Sequence, residues 1–168
     1  MIRLNGKKIH PTIFPDRTSQ VWQLGDLIHP DKNIVKWDFH CEAELIHLQQ
    51  LKLLLDRRRL STAQLHIPYL PYARQDKEVS DTSTFALRAL AQILNSQHWD
   101  KVCAFDTHSR EAVHHINNFT DIQPNLDFVK NYDAVVFPDA GATQRYSRLI
   151  PKGMQVVTGN KVRDQQTG

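Results

Sequence analysis

The sequence predicts an α/β fold: a doubly wound, mostly parallel sheet with flanking helices, preceded by an irregular amino-terminal segment. Three observations predict it. From residue 64 onward, short runs rich in Val, Ile and Phe alternate with stretches of helical periodicity. Before them lies one long leucine stripe, Leu45, Leu48, Leu51 and Leu55, at the three- and four-residue spacing of a buried helix face. Finally, 168 residues with 40% apolar and 23% charged side chains suit one ordinary globular domain rather than a disordered chain.

The elements follow in order. Pro11, Pro15 and Pro30 punctuate the first 35 residues, where short strands fit Thr12–Phe14 and Gln20–Leu24, and Asn33–Phe39 reads as another. Glu44 to Arg59 reads as a helix. Gln64–Leu70 is the next strand. Ser83–Ser96 is a helix with Phe85, Leu87, Leu90, Ile93 and Leu94 offered to the core and Ser83 or Asp81 as its cap. Strand Lys101–Phe105, short helix Arg110–Asn117, strand Tyr132–Phe137, helix Ala140–Leu149 and strand Met154–Val157 complete the alternation.

Each late strand runs directly into a polar cluster. Leu65–Leu70 leads to Tyr72-Ala73-Arg74-Gln75-Asp76-Lys77. Val102–Phe105 leads to Asp106-Thr107-His108-Ser109. Val135–Phe137 leads to Pro138-Asp139-Ala140-Gly141, and Gln155–Val157 to Asn160-Lys161-Val162-Arg163. Ligands of open parallel sheets bind beyond the carboxyl ends of the strands. All four clusters are therefore expected to face one crevice, with Arg74, Lys77, Lys161 and Arg163 as cations beside Asp76, Asp106, Asp139 and His108. Cations mixed with carboxylates suit a polyphosphate held with a divalent metal. The chain has no Gly-x-x-x-x-Gly-Lys-Ser/Thr loop, no Gly-x-Gly-x-x-Gly, no His-Glu-x-x-His and no Gly-x-Ser-x-Gly.

Several features carry blander readings. The net charge of +3, from 21 Lys and Arg against 18 Asp and Glu, does not predict nucleic acid as a partner. Arg57-Arg58-Arg59 falls at a helix end, where cations answer the helix dipole. No apolar run approaches the roughly 20 residues of a membrane span, and Met1–Lys8 lacks the apolar core of a signal peptide, so no membrane partner is expected. Cys41 and Cys103 have no metal-type spacing and point to free thiols in a reducing, cytoplasmic setting. Adjacent His114 and His115 point about 100° apart on a helix and read as a solvated face. Trp22, Trp37 and Trp99 read as packing anchors. A core or surface histidine is the alternative for His108, a plain strand residue for Phe14, and an ion pair with Asp76 or Asp81 for Arg74.

At these clusters the sequence resembles a known family. Ile67-Pro68-Tyr69-Leu70-Pro71-Tyr72-Ala73-Arg74-Gln75-Asp76-Lys77 is similar to the nucleotide-binding segment of the ribose-phosphate diphosphokinases (phosphoribosyl pyrophosphate synthetases). Asp106-Thr107-His108 resembles the family's Asp-x-His element, Pro138-Asp139-Ala140-Gly141 its Pro-Asp-x-Gly, Lys161-Val162-Arg163 the Lys-x-Arg of its flexible catalytic loop, and Phe14-Pro15-Asp16 its early Phe-x-Asp. Order and approximate spacing agree over nearly the whole chain.

The resemblance implies a phosphoribosyltransferase-like fold and a reaction. The β,γ-diphosphoryl group of ATP passes to the C1 hydroxyl of ribose 5-phosphate with Mg²⁺, giving phosphoribosyl pyrophosphate and AMP. It implies that Arg74 and Gln75 hold the adenine, with Phe14 and Asp16 contributed to a neighbouring copy's site. Asp76, Lys77 and His108 would lie near the phosphates, Asp106, His108 and Asp139 would serve metal, and His108, Lys161 and Arg163 would be catalytic. It also implies a homo-oligomer built from dimers, up to a hexamer.

Departures from the family pattern accompany these matches. Arg17-Thr18 stand where the early element continues to a glutamate, and Pro71 stands at a common glycine. The Asp-Thr-Gly-Gly-Thr loop that binds ribose 5-phosphate has no counterpart. The expected organisation is an amino-terminal nucleotide-binding domain over 1–150, a last strand and the start of the flexible loop over 151–168, and an absent ribose-5-phosphate-binding domain. On this reading the chain is a fragment that is inactive alone. The alternatives are a non-catalytic regulatory homologue that binds nucleotide and associates with a synthetase, and a simple nucleotide-binding or assembly module.

Overall fold

A computed structural model describes residues 1–57, 61–108 and 110–161. It divides into two compact units, Met1–Gln123 and Pro124–Gly168. In the first, strands β1 (Ile2–Leu4), β2 (Lys7–Lys8), β5 (Lys32–Trp37), β6 (Thr62–Ile67), β7 (Lys101–Phe105) and β8 (Phe119–Ile122) form one sheet in the order β2-β1-β5-β6-β7-β8. β5 through β8 pair in parallel, while β1 pairs antiparallel with β5 and β2. A separate hairpin, β3 (Thr12–Ile13) and β4 (Ser19–Gln20), precedes them. The mostly parallel sheet with flanking helices is the class the sequence predicts.

Helices α1 (Glu44–Asp56), α2 (Ala86–Ser96) and α3 (Glu111–His115) fill the three parallel crossovers. The leucine stripe of α1 works as its spacing requires: Leu48, Leu51 and Leu55 are buried and Leu45 packs beside them. They meet Leu87, Leu90 and Leu94 of α2, and the inward row of the sheet, Val35, Trp37, Leu65, Ile67, Val102 and Ala104. Along β5 and β6 every second residue is buried, so the helices cover one side of each strand.

The structure adjusts several expectations. β1 and β2 occupy a stretch that reads as irregular. Their turn is Asn5-Gly6, both with left-handed φ (49° and 85°), the two-residue turn whose twist suits a hairpin. β8 also emerges where no strand is expected. β6 stops at Ile67 rather than Leu70, because Pro68 cannot donate to the ladder. α2 begins at Ala86, and Ser83 instead closes the preceding turn, its hydroxyl accepting from the N–H groups of Val79 and Ser80. Ile93 falls on the outer side of α2, 41% exposed, rather than in the core. Trp37 and Trp99 are buried anchors, but Trp22 is 46% exposed. Cys41 and Cys103 are free.

The second unit holds β9 (Ala134–Phe137) and β10 (Gln155–Thr158), a two-stranded parallel sheet of its own, with α4 (Ala140–Tyr146) between them. Val129, Phe137 and Ala142 are its buried apolar side chains, and Phe137 stacks on Tyr146 with ring centroids 6.1 Å apart. Among the described residues, no helix is long and apolar enough to cross a membrane.

Candidate functional site

Within each unit the structure brings two strand-end clusters side by side, the last of them described only as far as Lys161. β6 and β7 are neighbours in register, with Ile67 opposite Ala104, so the loops that leave them emerge side by side at one edge of the sheet. In the first loop, Leu70 and Ala73 are buried and pin the backbone, while Arg74, Gln75 and Lys77 stay exposed and Asp76 half-buried. Gln75 N–H donates to Tyr72 O (2.8 Å), and Leu87 N–H donates to Gln75 O (3.2 Å), tying the loop to the start of α2. Among the described residues, Arg74, Asp76 and Lys77 form no ion pair within 4 Å. The alternative of a surface pair between Arg74 and Asp76 or Asp81 is thus not realised.

Tyr72 sits at the bend with φ 61°, a conformation that costs a bulky residue energy and persists only when its surroundings hold it. Two contacts do so: the ring lies edge-on to Phe39, 6.2 Å between centroids, and the hydroxyl donates to Glu42 Oε1. That hydrogen bond to a carboxylate raises the phenol's pKa. Asp106, the first residue after β7, is likewise left-handed at φ 49°. Its N–H donates to Ile122 O (2.9 Å), and Thr107 N–H donates to Asp121 Oδ1 (3.0 Å). The adjacent strand β8 therefore sets this turn and leaves His108 exposed. Sequence reasoning passes over Tyr72, Glu42 and Asp121 as builders of these loops. Only the turn-forming habit of aspartate at Asp106 was a readable signal.

In the second unit, β9 and β10 pair with Phe137 opposite Thr158, so their trailing residues are also neighbours. Asp139 caps α4, its Oδ1 accepting from Ala142 N–H at 2.8 Å, so one carboxylate oxygen of this expected metal ligand is committed to the helix. Gly159 N–H donates to Phe137 O (2.7 Å), and a Cβ at Gly159 would come within 2.7 Å of Pro138 O, so any other residue there would force the backbone to shift. Lys161 is exposed; Arg163 lies outside the described residues, as do Arg58, Arg59 and Ser109.

Phe14 and Asp16 stand in the loop of the β3–β4 hairpin. Phe14 is 40% exposed. Asp16 Oδ1 accepts from Thr18 N–H (2.9 Å) and from the Thr18 hydroxyl (2.7 Å), and these bonds lower its pKa. His115 pairs with Glu111 (3.3 Å) and meets the Phe85 ring edge-on, in keeping with a helix-face role. Among the described residues, no group of three or more His, Cys, Asp or Glu side chains is placed to hold a metal ion. Two concavities, of about 420 and 140 Å³, are lined by residues such as His29, Lys32, Asp100 and Asn118, which enter β5, β7 and β8 rather than leave them.

No protein-family model matches the chain. It is 27% identical over 165 residues to ribose-phosphate pyrophosphokinase 2 of Schizosaccharomyces pombe, a match covering 90% of this chain and 51% of that protein. To the ribose-phosphate pyrophosphokinase of Pyrococcus abyssi it is 26% identical over 127 residues, covering 69% and 43%. The chain thus spans about half the length of the curated relatives it matches. Its fold superposes on the phosphoribosylpyrophosphate synthetase from Mycobacterium smegmatis with a TM-score of 0.71 and 18% identity, over 94% of this chain and 57% of that one. In sequence the chain is thus similar to curated ribose-phosphate pyrophosphokinases, and in fold to a phosphoribosylpyrophosphate synthetase.

Proposed function

We propose that the chain is the nucleotide-binding half of a ribose-phosphate diphosphokinase and that it is inactive alone. The observation that carries this reading is the pairing of the Tyr72–Lys77 and Asp106–His108 loops at one edge of adjacent, in-register strands. That edge supplies both sets of groups a nucleoside triphosphate needs. Arg74 and Gln75 offer a guanidinium plane and an amide for the base. Lys77 offers charge to the phosphates, and His108 a proton donor beside them. Phe14 and Asp16 of a neighbouring copy close the base site in a homo-oligomer.

In the reaction, the C1 hydroxyl oxygen of ribose 5-phosphate attacks the β-phosphorus of ATP. The bond from that phosphorus to the α,β-bridging oxygen breaks, AMP leaves, and the hydroxyl proton is released. Such a transfer relies on positioning and charge neutralisation more than on covalent chemistry. Lys161 and Arg163 stabilise the charge that develops on the transferred group. Mg²⁺ is ordinarily held by one or two carboxylates together with substrate phosphates rather than by an all-protein cage, so the Asp106 carboxylate would hold it with the phosphates, His108 lying beside them. Asp139, with its remaining carboxylate oxygen, serves a second ion or the sugar phosphate. When bound, the metal neutralises phosphate charge.

The test is AMP release from ATP and Mg²⁺, with and without ribose 5-phosphate. It is run on this chain and on a longer gene product that carries the sugar-phosphate loop. Sugar-dependent AMP from the longer protein alone is expected. Turnover by this chain alone would overturn its assignment as an inactive half, and nucleotide binding with no turnover in either would remove the reaction.

A further inference from the structure

The β3–β4 hairpin has two residues per strand and, among the described residues, no third strand beside it. A ribbon this short does not hold itself in water. Helix α1 takes the place of the missing strand. The Gln50 side-chain amide docks on the free edge of the hairpin as a peptide unit would: its Oε1 accepts from Val21 N–H (2.7 Å) and its Nε2 donates to Ser19 O (2.9 Å). A carbonyl at one position and an N–H two residues on face the same side of a strand, so one amide satisfies both. One turn earlier on the same face of α1, His47 Nε2 lies 2.7 Å from Ser19 Oγ. The helix is itself fixed in the core through Leu48 and Leu51, and Val21 is buried next to the clamp. Beyond it, the loop carries Phe14 and Asp16.

We infer that His47 and Gln50 are positioning residues, through which α1 sets where the hairpin presents Phe14 and Asp16. This rests on the reading of those two residues as base contacts given above. A clamp of this kind acts on the adenine end of the ligand and leaves the phosphate end alone.

The test compares the full chain with Gln50→Ala and Ser19→Ala. Amide exchange is followed over 12–21 and over the core strand 62–67, and binding is measured separately for magnesium ATP and for magnesium tripolyphosphate, which has no base. Losing two neutral hydrogen bonds should speed exchange over 12–21 by about tenfold in Gln50→Ala. The same variant should weaken ATP binding by about tenfold while tripolyphosphate binding and exchange over 62–67 stay unchanged. Ser19→Ala should move both in the same direction by less. Unchanged hairpin exchange would overturn the inference, as would exchange that rises equally over 62–67 or a matching loss of both ligands. If the unaltered chain binds neither ligand, the nucleotide reading fails, and the exchange data still decide whether the clamp holds the hairpin.

Discussion

β5–β6 and β9–β10 are both in-register parallel pairs, yet they end in opposite states. Val35 lies opposite Leu65 and both are fully buried. Val156 lies opposite Val135, and Val136, Val156 and Val157 remain 69%, 39% and 44% exposed. The hydrogen-bond ladders are alike, so the ladder does not make the difference. The helices do. α1 and α2 bring six buried leucines to the first sheet, whereas α4, Ala140–Tyr146, buries only Ala142. A parallel pair needs cover to become a core, and in this chain the two strand-end loops after β6 and β7 stand on the covered sheet.

The strongest way to break this comparison is to truncate one apolar side chain in each unit, Leu51 in the helix that covers the first sheet and Val136 in the second sheet. Leu51→Ala should cost about 2–5 kcal/mol, the range for a buried leucine truncated in a packed core. Val136→Ala should stay within about 0.5 kcal/mol. Urea unfolding followed by tryptophan fluorescence reads the first, because Trp37 and Trp99 are buried in the first unit, and amide exchange over 134–158 reads the second. Equal losses would show that the second sheet is as well supported as the first.

Next comes function without stability. Arg74→Ala should weaken ATP binding by about 1–3 kcal/mol, the scale of a lost charged hydrogen bond, with no change in the urea midpoint. Calorimetric titration checks it, and unchanged affinity would take Arg74 out of the site. Gly159→Ala tests the second unit at its tightest point. The added Cβ meets Pro138 O and should cost about 1–3 kcal/mol, confined to that unit. Amide exchange should quicken over 134–158 and not over 62–67.

The smallest effect is a pH dependence that belongs to the first unit. Burial pushes His47 below the usual histidine range, against the nearby Glu44, which pulls it up. Burial, then Lys101 and Lys32, push His66 down as well. Each is more readily protonated unfolded than folded. Their contribution is therefore fully present above the unfolded pKa of about 6.5 and is lost progressively as pH falls through it toward the folded value. The urea midpoint should fall between pH 7.5 and about 5.5, and His66→Gln should flatten the slope. A midpoint that rises on acidification would reverse the sign.

Much of the candidate site was legible because polar clusters after apolar strands announce themselves. Tyr72–Lys77 and Asp106–His108 were found that way, and the parallel pairing of their strands follows from the strand-helix alternation. The hairpin signal Asn5-Gly6 was also in plain view, and the short, charged strands around it hid it. Illegible were contacts between residues distant in the chain: Glu42 holding Tyr72, Asp121 setting the turn after Asp106, Gln50 gripping the hairpin. Glutamine on a helix looks the same in sequence whether it faces water or a strand edge.

The sequence by itself determined the α/β class, the buried stripe of α1 and which loops bear the charged groups, because local periodicity and strand-end composition depend only on neighbours along the chain. Tertiary structure alone decided that β9 and β10 form their own sheet, that Trp22 and Ile93 face outward, and that Tyr72 and Asp106 take left-handed backbones. Those outcomes depend on which distant groups arrive to cover a surface or satisfy an amide, and no local pattern encodes their arrival.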